Sequence, residues 1–358
     1  DLVRALPWVA GAVAVFVLPV ALRLPLGGLT DASMIAVVGL AALAVVMARA
    51  DDLRLAGTFA ATLFAATAFA PGLADVTSVR SFYGVHRVAT SADGAFRFLF
   101  HGTTIHGAER IRDADGRPIE GRPRPATYYW FGSPLGQAVE AAREAGGGRI
   151  GRVAAIGLGT GSLACHAKAG EAWTFFEIDP EVVRIARDPA KFRFLSACAP
   201  DLPVVLGDGR LTLPAASPAP SDLIVVDAFS SDSIPVHLLT REAIRLYAAH
   251  LAPHGLLAFH LSNRHMELVR VAAAVGQAEG FTVWSRVGRP DAAGKAEHDG
   301  ASAVAVMVRD PADAARIARD PSWRRMEPET RVAAWTDDHA DVLDAILRRL
   351  TGDEPGTH

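Results

Sequence analysis

The chain is poor in cysteine, and its acidic and basic residues nearly balance. Of 358 residues only two are cysteines, Cys165 and Cys198, and their spacing matches neither a metal site nor a disulfide framework. We therefore expect two small, buried thiols in a reducing compartment. The formal net charge of −3 argues against a nucleic-acid-binding protein, because such proteins usually carry a strongly basic face.

Charged residues are also scarce at the start of the chain. Three uncharged stretches, Ala5–Leu22, Ala32–Ala48 and Leu55–Ala74, are 18, 17 and 20 residues long. A bilayer core of about 30 Å requires roughly 20 helical residues, and three runs in succession exclude a single cleaved signal peptide. The sequence thus predicts a transmembrane region of about three helices over residues 1–76, in contact with membrane lipid. The alternative is a buried helical bundle.

Behind this region the chain divides into a small β unit over residues 80–130 and a larger domain over residues 150–350. In the β unit, polar and apolar residues alternate around Asp93-Gly94, a pair typical of hairpin turns. In the larger domain strands and helices alternate, which indicates an α/β Rossmann-like fold with a parallel sheet. The predicted strands are Val153–Ile156, Trp173–Ile178, Val204–Leu206, Leu223–Val226, Leu256–His260, Phe281–Trp284 and Ala303–Val308.

A glycine turn follows the first strand of the larger domain. Gly157, Gly159 and Gly161 form the pattern GxGxG, whereas a dinucleotide fingerprint has its third glycine one place later. The GxGxG pattern suits folds that bind S-adenosylmethionine (SAM) or related nucleosides. Glu177 comes 20 residues after Gly157, at the end of the second strand, where a carboxylate can accept both ribose hydroxyls.

Polar residues also follow the next strands. Asp179 comes directly behind Glu177, and the motif GDGR places Asp208 after the third strand, where it can accept the amino group of an adenine. Asp227 ends the fourth strand, with Asp232 five residues on. Because ligands in open α/β sheets bind beyond the carboxyl ends of the strands, we expect these acids to share one site.

Several motifs, in this order, resemble those of the spermidine synthases, a family of aminopropyltransferases. They are GLGTG, FFEID, GDGR and VVDAFSSDSIP. The preceding FLFHGTTIHGAER and TYYWFGSPLGQAV are similar to the N-terminal β region and the gate segment of that family. The uncharged stretches in front make the chain similar to the membrane-fused subgroup. The resemblance extends over about Ser81 to Leu350.

The resemblance implies a site for an adenosyl sulfonium co-substrate, either decarboxylated SAM or SAM, without a metal. Glu177 would bind the ribose, and Asp208 with Gly209 would bind the adenine. The full set of nucleoside-binding residues is Gly157, Gly159, Thr160, Gly161, Glu177, Asp179, Asp208 and Gly209.

The resemblance also implies three catalytic residues and an amine acceptor, putrescine or another polyamine. Asp227 matches the acid that takes a proton from the attacking amine, Asp232 the acid that positions the polyamine, and Tyr129 a tyrosine beside the transferred group. His101 and His106 are either structural or part of the second-substrate pocket. A homo-oligomer is left open.

Two positions depart from the family pattern. Thr160 stands where spermidine synthases usually have an aspartate that binds the amine of decarboxylated SAM, and Trp130 replaces the Gln or Glu after the gate tyrosine. Both changes remove acceptors for cationic amines. Four hypotheses stay open: aminopropyl transfer, cleavage of SAM by its own carboxylate into methylthioadenosine and homoserine lactone, methyl transfer, and a non-catalytic nucleoside or polyamine sensor.

The charges near the uncharged stretches do not orient the chain in a membrane. Arg4, Arg23, Arg49 and Arg54 would be divided over both sides. Since SAM-type nucleosides are made in the cytoplasm, we expect an integral protein of the inner or plasma membrane with a cytoplasmic catalytic domain.

Overall fold

The structure is a computed structural model that describes residues 52, 55–60, 73–102, 104–216, 219–229, 234–263 and 265–352. The chain splits into two compact units, Asp1–Ala74 and Asp75–His358. Within the described part, no helix combines the length and the apolar character needed to cross a bilayer. The predicted spans Ala5–Leu22 and Ala32–Ala48, with most of Leu55–Ala74, lie outside the described residues and stay predictions.

The small β unit is a sheet of four strands in sequence order. The hairpin predicted at Asp93-Gly94 joins the second and third strands, where Gly94 has a φ of +70° and donates its N–H to the carbonyl of Ser91 at 2.9 Å. Both pairs β2–β3 and β3–β4 are antiparallel. The strands are β1 (Leu73–Ser81), β2 (Gly84–Ser91), β3 (Phe96–His101) and β4 (Thr104–Arg110).

The large sheet has eight strands in the order β12-β10-β11-β9-β8-β5-β6-β7. Its strands are β5 (Arg152–Ile156), β6 (Ala172–Glu177), β7 (Val204–Leu206), β8 (Ser221–Val226), β9 (Leu251–His260), β10 (Thr282–Gly288), β11 (Ser302–Val308) and β12 (Arg324–Arg325). From β7 to β9 neighbouring strands are parallel, as predicted.

The other half of the sheet corrects the prediction of a parallel sheet. β11 pairs antiparallel with both β9 and β10, and β12 pairs antiparallel with β10. After β10 the chain turns back beside the same strand instead of crossing over a face of the sheet, so the sheet is mixed. β12 was not predicted because two residues carry no periodic pattern.

Helices cover both faces of the sheet. They are α1 (Pro134–Ala145), α2 (Pro180–Arg187), α3 (Phe194–Cys198), α4 (Gly209–Ala216), α5 (Arg241–Ala249), α6 (Val269–Ala278), α7 (Ala292–Ala296), α8 (Pro311–Ile317) and α9 (Val342–Leu350). Residues of β8 alternate between two hydrophobic clusters: Ile224 and Val226 pack in the cluster with α5 and α6, and Leu223 and Val225 in the cluster with α1. A strand buried on both faces explains its continuous apolar sequence.

The two cysteines form a disulfide, so the prediction of two free thiols is wrong. Cys165 lies in a 3₁₀ helix, Ser162–His166, and Cys198 ends α3, with the two Cα atoms 5.0 Å apart. The 33-residue separation gave no hint of this pairing, because it depends on the packing of the 3₁₀ helix against α3.

Candidate functional site

A cavity of about 350 Å³ lies beyond the carboxyl ends of β5, β6 and β8. This volume is within the range of small-molecule pockets. The predicted residues that line it are Tyr129, Gly157, Gly159, Glu177, Asp179, Asp208, Gly209 and Asp227. Thr160 and Gly161 are not among its lining residues, and Asp232 lies outside the described part of the chain.

The glycine turn forms one wall of this cavity. Gly157 has a φ of +102°, and a Cβ on it would stand 2.1 Å from the carbonyl oxygen of Asp227. Gly159 has a φ of +54°, and its Cβ would stand 3.0 Å from the carbonyl oxygen of His106. Both positions therefore require glycine, and the wall they form is bare backbone that a ligand can approach closely.

Glu177, at the end of β6, is oriented by the backbone. One carboxylate oxygen accepts the N–H of Leu158 and the other accepts the N–H of Asp179, each at 2.9 Å. Burial raises the pKa of Glu177 above its ordinary value. Because each carboxylate oxygen has a second lone pair, the group can still accept two ribose hydroxyls.

Asp179 connects the cavity to the small sheet. It accepts hydrogen bonds from the Ser81 hydroxyl at 2.5 Å and from His86 Nε2 at 2.7 Å, and it caps α2 through the N–H of Glu181. Burial favours the neutral carboxyl, but the hydrogen bonds from Ser81, His86 and Glu181 outweigh it and hold the pKa of Asp179 below its ordinary value.

Asp208 also lines the cavity and lies between β7 and α4. One oxygen accepts the N–H of Arg210 at 2.8 Å, and the other lies 2.9 Å from His237 Nε2. His237 also lines the cavity, although its position in the sequence did not point to this site.

Thr160 faces the small sheet. Its side chain is fully buried, and its Oγ1 would be 2.3 Å from a Cβ on Gly107 of β4. Thr160 therefore packs against β4, and its hydroxyl has no hydrogen-bond partner among the described atoms.

Asp227 is the central acid of the site, and both of its oxygens are engaged. Tyr129 donates its hydroxyl to Oδ2, and His260 Nδ1 lies 2.7 Å from Oδ1. Burial, followed by the charge of Asp227, raises the pKa of Tyr129 well above its ordinary value, so the phenol stays protonated and remains a donor.

His260 is a site residue that the motifs did not identify. β8 and β9 are parallel, and Val226 pairs with Phe259, so the next residues, Asp227 and His260, lie side by side. The sequence did contain a signal for His260. It stands at the carboxyl end of the predicted strand Leu256–His260, just as Asp227 stands at the carboxyl end of the predicted strand Leu223–Val226.

A second cavity of about 640 Å³ adjoins the first, and both are lined by His106, Tyr128 and Phe229. Its wall includes His260 and Ser262. Since His260 contacts Asp227, this second cavity lies beside the carboxylate that lines the first.

The acids of the second cavity are already engaged. Arg124 binds both oxygens of Asp299, at 2.8 and 2.6 Å, and Glu267 has the guanidinium of Arg348 at 3.8 Å besides accepting two backbone N–H groups. In contrast, Arg289 and Lys295 line the same cavity, and among the described residues neither has an ion-pair partner.

His101 and His106 both line the first cavity, in a row of imidazole rings that begins with His86. The ring centroids of His86 and His101 are 4.7 Å apart, and those of His101 and His106 are 5.5 Å apart. Burial, followed by the nearby His86, lowers the pKa of His101. These rings therefore extend the cavity toward the small sheet.

One group of described side chains has ligand atoms close enough to hold a metal ion: His254, Asp310 and Asp313. It lies at the start of α8 and lines neither cavity. Asp313 already binds Arg316, and Asp310 caps α8.

No protein-family model matches the chain. A search of curated proteins found no match.

Among solved structures, the chain is similar to two spermidine synthases. A probable spermidine synthase from Corynebacterium glutamicum is 14% identical, with a TM-score of 0.49, over 75% of this chain and 98% of that one. The spermidine synthase from Thermotoga maritima is 12% identical, with a TM-score of 0.48, over 78% of this chain and 88% of that one.

The chain is also similar to methyltransferases. An O-methyltransferase from Streptomyces achromogenes, in complex with SAM, is 15% identical, with a TM-score of 0.35, over 50% of this chain and 84% of that one. Identities and TM-scores this low assign no family to the chain.

Proposed function

We propose that the chain is a spermidine-synthase-like enzyme that binds decarboxylated SAM or SAM and releases methylthioadenosine by transferring an aminopropyl-type group to an amine. The observation that carries the proposal is the place of Asp227. This buried carboxylate lines the nucleoside cavity, accepts the hydroxyl of Tyr129 and adjoins a second cavity. The arrangement provides a base between two binding spaces.

The residues of the first cavity suit an adenosyl ligand. The Glu177 carboxylate is oriented for ribose hydroxyls, Asp208 stands beyond β7 for an adenine amino group, and the Gly157–Gly159 turn leaves backbone exposed to the ligand. All of them lie beyond the carboxyl ends of parallel strands, which is where nucleosides bind in this class of fold.

The chemistry requires little from the protein beyond position and a base. The nitrogen of the acceptor amine attacks the carbon next to the sulfonium, a C–N bond forms, and the C–S bond breaks. The electron pair stays on sulfur in neutral methylthioadenosine. The proton lost by the amine goes to Asp227, which must be ionised beforehand. Holding the two reactants in line supplies the rest, and no metal is needed.

The acceptor is proposed to be putrescine or another polyamine, held by Asp227 and Asp232. The charged side chains of the second cavity suggest a different kind of acceptor amine, which should be tested beside putrescine. The cavity's acids Glu267 and Asp299 are engaged, whereas Arg289 and Lys295 are not, and this favours an acceptor amine that also carries an acidic group.

SAM cleavage without an amine is the second candidate, and Thr160 supports it. An aspartate for the amine of decarboxylated SAM is missing at this position, and Thr160 packs against Gly107 instead. In that reaction the carboxylate of SAM attacks its own γ-carbon, so no base is required.

Membrane anchoring by residues 1–76 and a cytoplasmic catalytic domain remain part of the proposal. The Cys165–Cys198 disulfide weighs against the cytoplasmic side, because disulfides persist mainly in oxidising compartments. Labelling of engineered surface cysteines in intact cells, in a background without the native pair, would decide the side.

The decisive experiment follows detergent-solubilised protein by mass spectrometry. SAM or decarboxylated SAM is supplied alone, with putrescine, or with an amino acid as acceptor. Methylthioadenosine and an aminopropylated product, formed only from decarboxylated SAM and an amine, would establish the transferase. Methylthioadenosine from SAM alone would establish the lyase. Transfer of a methyl group, or no turnover with any pair, would contradict the proposal.

Asp227→Asn is the matching variant. It should abolish aminopropyl transfer, because the base is lost, while methylthioadenosine still binds through Glu177 and Asp208. Full transferase activity in this variant would remove Asp227 from the mechanism. A lyase, in contrast, would tolerate the change.

A further inference from the structure

His260 belongs to a chain of three side chains that starts at Asp227. His260 Nδ1 lies 2.7 Å from Asp227 Oδ1, and His260 Nε2 lies 2.7 Å from the hydroxyl oxygen of Ser262. His260 is only 2% exposed and Asp227 only 8%. The chain therefore links a carboxylate of the first cavity to a hydroxyl on the wall of the second.

The partners of His260 decide which of its nitrogens carries a proton. An ionised carboxylate only accepts hydrogen bonds, so Nδ1 must be the protonated nitrogen that donates to Asp227. Ser262 is held in place by the N–H of Ala303, which donates to its oxygen at 2.9 Å. The Ser262 hydroxyl is then available to donate to Nε2 in the tautomer that carries its proton on Nδ1.

Packing fixes the plane of the imidazole. The ring of Tyr128 lies at a centroid distance of 4.2 Å with an interplanar angle of 31°, and Phe229 lies edge-on at 5.1 Å. On the backbone, His260 pairs with Val304 of β11. A ring packed against two aromatic side chains and bonded at both nitrogens presents its N–H to Asp227 in one direction.

We propose that His260 is a positioning residue for Asp227, and that Ser262 keeps it in the tautomer this role requires. The proposal rests on the proposed function only in so far as Asp227 is the base. The base must be a carboxylate, because a carboxyl that already holds its proton cannot accept another from the amine. A hydrogen bond donated by His260 to Oδ1 stabilises this carboxylate and fixes the orientation of its plane.

Three titratable side chains of the described residues lie around Asp227. Among the described residues, those that interact with it are Tyr128 and Tyr129, from the segment before α1, and His260 from β9. Burial and the charge of Asp227 raise the pKa of both tyrosines well above the ordinary value. They stay neutral over the working range, so the neighbour of Asp227 that the test removes is His260.

The test compares His260→Phe with His260→Gln. Phenylalanine keeps an aromatic ring against Tyr128 but donates no hydrogen bond, whereas the amide of glutamine restores a donor. We expect His260→Phe to move the acid limb of the kcat–pH profile to higher pH by about one unit, so that kcat falls about tenfold at pH values below the limb and little on the plateau. KM for the nucleoside should change little, since Glu177 and Asp208 are untouched. His260→Gln should return the profile part of the way toward wild type.

His254→Phe is the matched control, because His254 lies on the same strand β9 and lines neither cavity. Its profile should equal that of the wild type. Ser262→Ala should give a smaller shift than His260→Phe, since Nδ1 can still donate. A lower kcat in His260→Phe without a shifted acid limb, and without rescue by glutamine, would reduce His260 to a packing residue and overturn the proposal.

A measurement independent of turnover separates this proposal from the proposed function. In the full chain with isotope-labelled aspartate and histidine, Asp227→Asn identifies the carboxyl resonance of Asp227 and His260→Gln the ring nitrogens of His260. The proposal expects a proton on Nδ1 in the wild type and a raised carboxyl pKa in His260→Phe. A proton on Nε2 alone, or an unchanged carboxyl titration, would overturn it. If no substrate pair turns over, the proposed function fails while this titration still decides the role of His260.

Discussion

The main chains of Gly157 and Asp227 approach so closely that no side chain fits between them. A Cβ on Gly157 would stand 2.1 Å from the Asp227 carbonyl oxygen and 3.2 Å from the nitrogen of Ala228. The backbone of the glycine turn therefore packs directly against the end of β8, which carries the proposed base. A change at one displaces the other.

Gly157→Ala should therefore abolish nucleoside binding as well as lower stability. The displaced turn no longer fits the ligand, and the φ of +102° adds strain of about 1–3 kcal/mol. Thermal shift with and without methylthioadenosine measures both effects. Gly94→Ala is the control, since Gly94 also has a positive φ, +70°, but nothing lies within 4 Å of its Cβ position. It should lose about 1 kcal/mol and keep the ligand-induced shift. If Gly157→Ala and Gly94→Ala kept the same ligand-induced thermal shift, the close approach of Gly157 to Asp227 would not be needed for nucleoside binding.

Glu171→Gln should destabilise the protein by about 2 kcal/mol, because it removes the buried one of the two carboxylates that pair with Arg143 and leaves this buried guanidinium with only the half-exposed Glu140. Arg143 donates to both oxygens of Glu171, at 2.6 and 2.8 Å, and the two side chains are 3% and 1% exposed. Urea unfolding measures the loss.

Glu181→Gln is the control for this change. Glu181 pairs with the exposed Arg184, so its replacement should cost less than 1 kcal/mol.

The effect of Glu171 should also depend on pH. Although burial favours the neutral form of Glu171, the hydrogen bonds from Arg143, Lys168 and Trp173 lower its pKa to about 2. The stabilising effect in the wild type should thus be full above about pH 4.5 and disappear as the pH falls toward 2. A loss independent of pH across this window would contradict the ion pair as its cause.

Reduction of the Cys165–Cys198 disulfide should lower the free energy of unfolding by about 3–4 kcal/mol, the chain-entropy value for a closed loop of 33 residues. Unfolding with and without a thiol reductant measures it. The double variant Cys165→Ala/Cys198→Ala is the control and should not respond to the reductant. Alkylation of both cysteines in the unreduced, denatured protein would show that the disulfide does not form.

His166 should make the protein less stable in mild acid. Burial lowers its pKa to about 4, and its Nε2 lies 2.6 Å from the carbonyl oxygen of Tyr129. Between pH 6.5 and about 4 the unfolded chain binds a proton that the folded chain does not, so stability falls by up to about 3 kcal/mol as the pH decreases. His166→Gln can keep the bond to Tyr129 and does not titrate, so its unfolding free energy should fall less over this window. If the unfolding free energies of wild type and His166→Gln fell equally with decreasing pH, His166 would not be the cause of the loss.

The sequence by itself determined the parts of the fold that follow from local pattern. The strands β5 to β9, the Asp93-Gly94 hairpin and the glycine turn each have a signal within a few residues: an apolar run, a turn pair or a GxGxG spacing. Parallel strands present their carboxyl ends at one edge of a sheet, which predicts that the acids behind them lie close together. Four of these acids do line one cavity: Glu177, Asp179, Asp208 and Asp227.

Tertiary structure alone decided what those residues contact. The antiparallel half of the sheet, the packing of Thr160 against Gly107 and the Cys165–Cys198 disulfide depend on which distant segments become neighbours. The contact between Asp227 and His260 depends on the register of β8 against β9, which a single strand does not encode. Local propensity therefore places the acids at the edge of the sheet, and long-range pairing determines that Asp227, the proposed base, is the one in contact with His260.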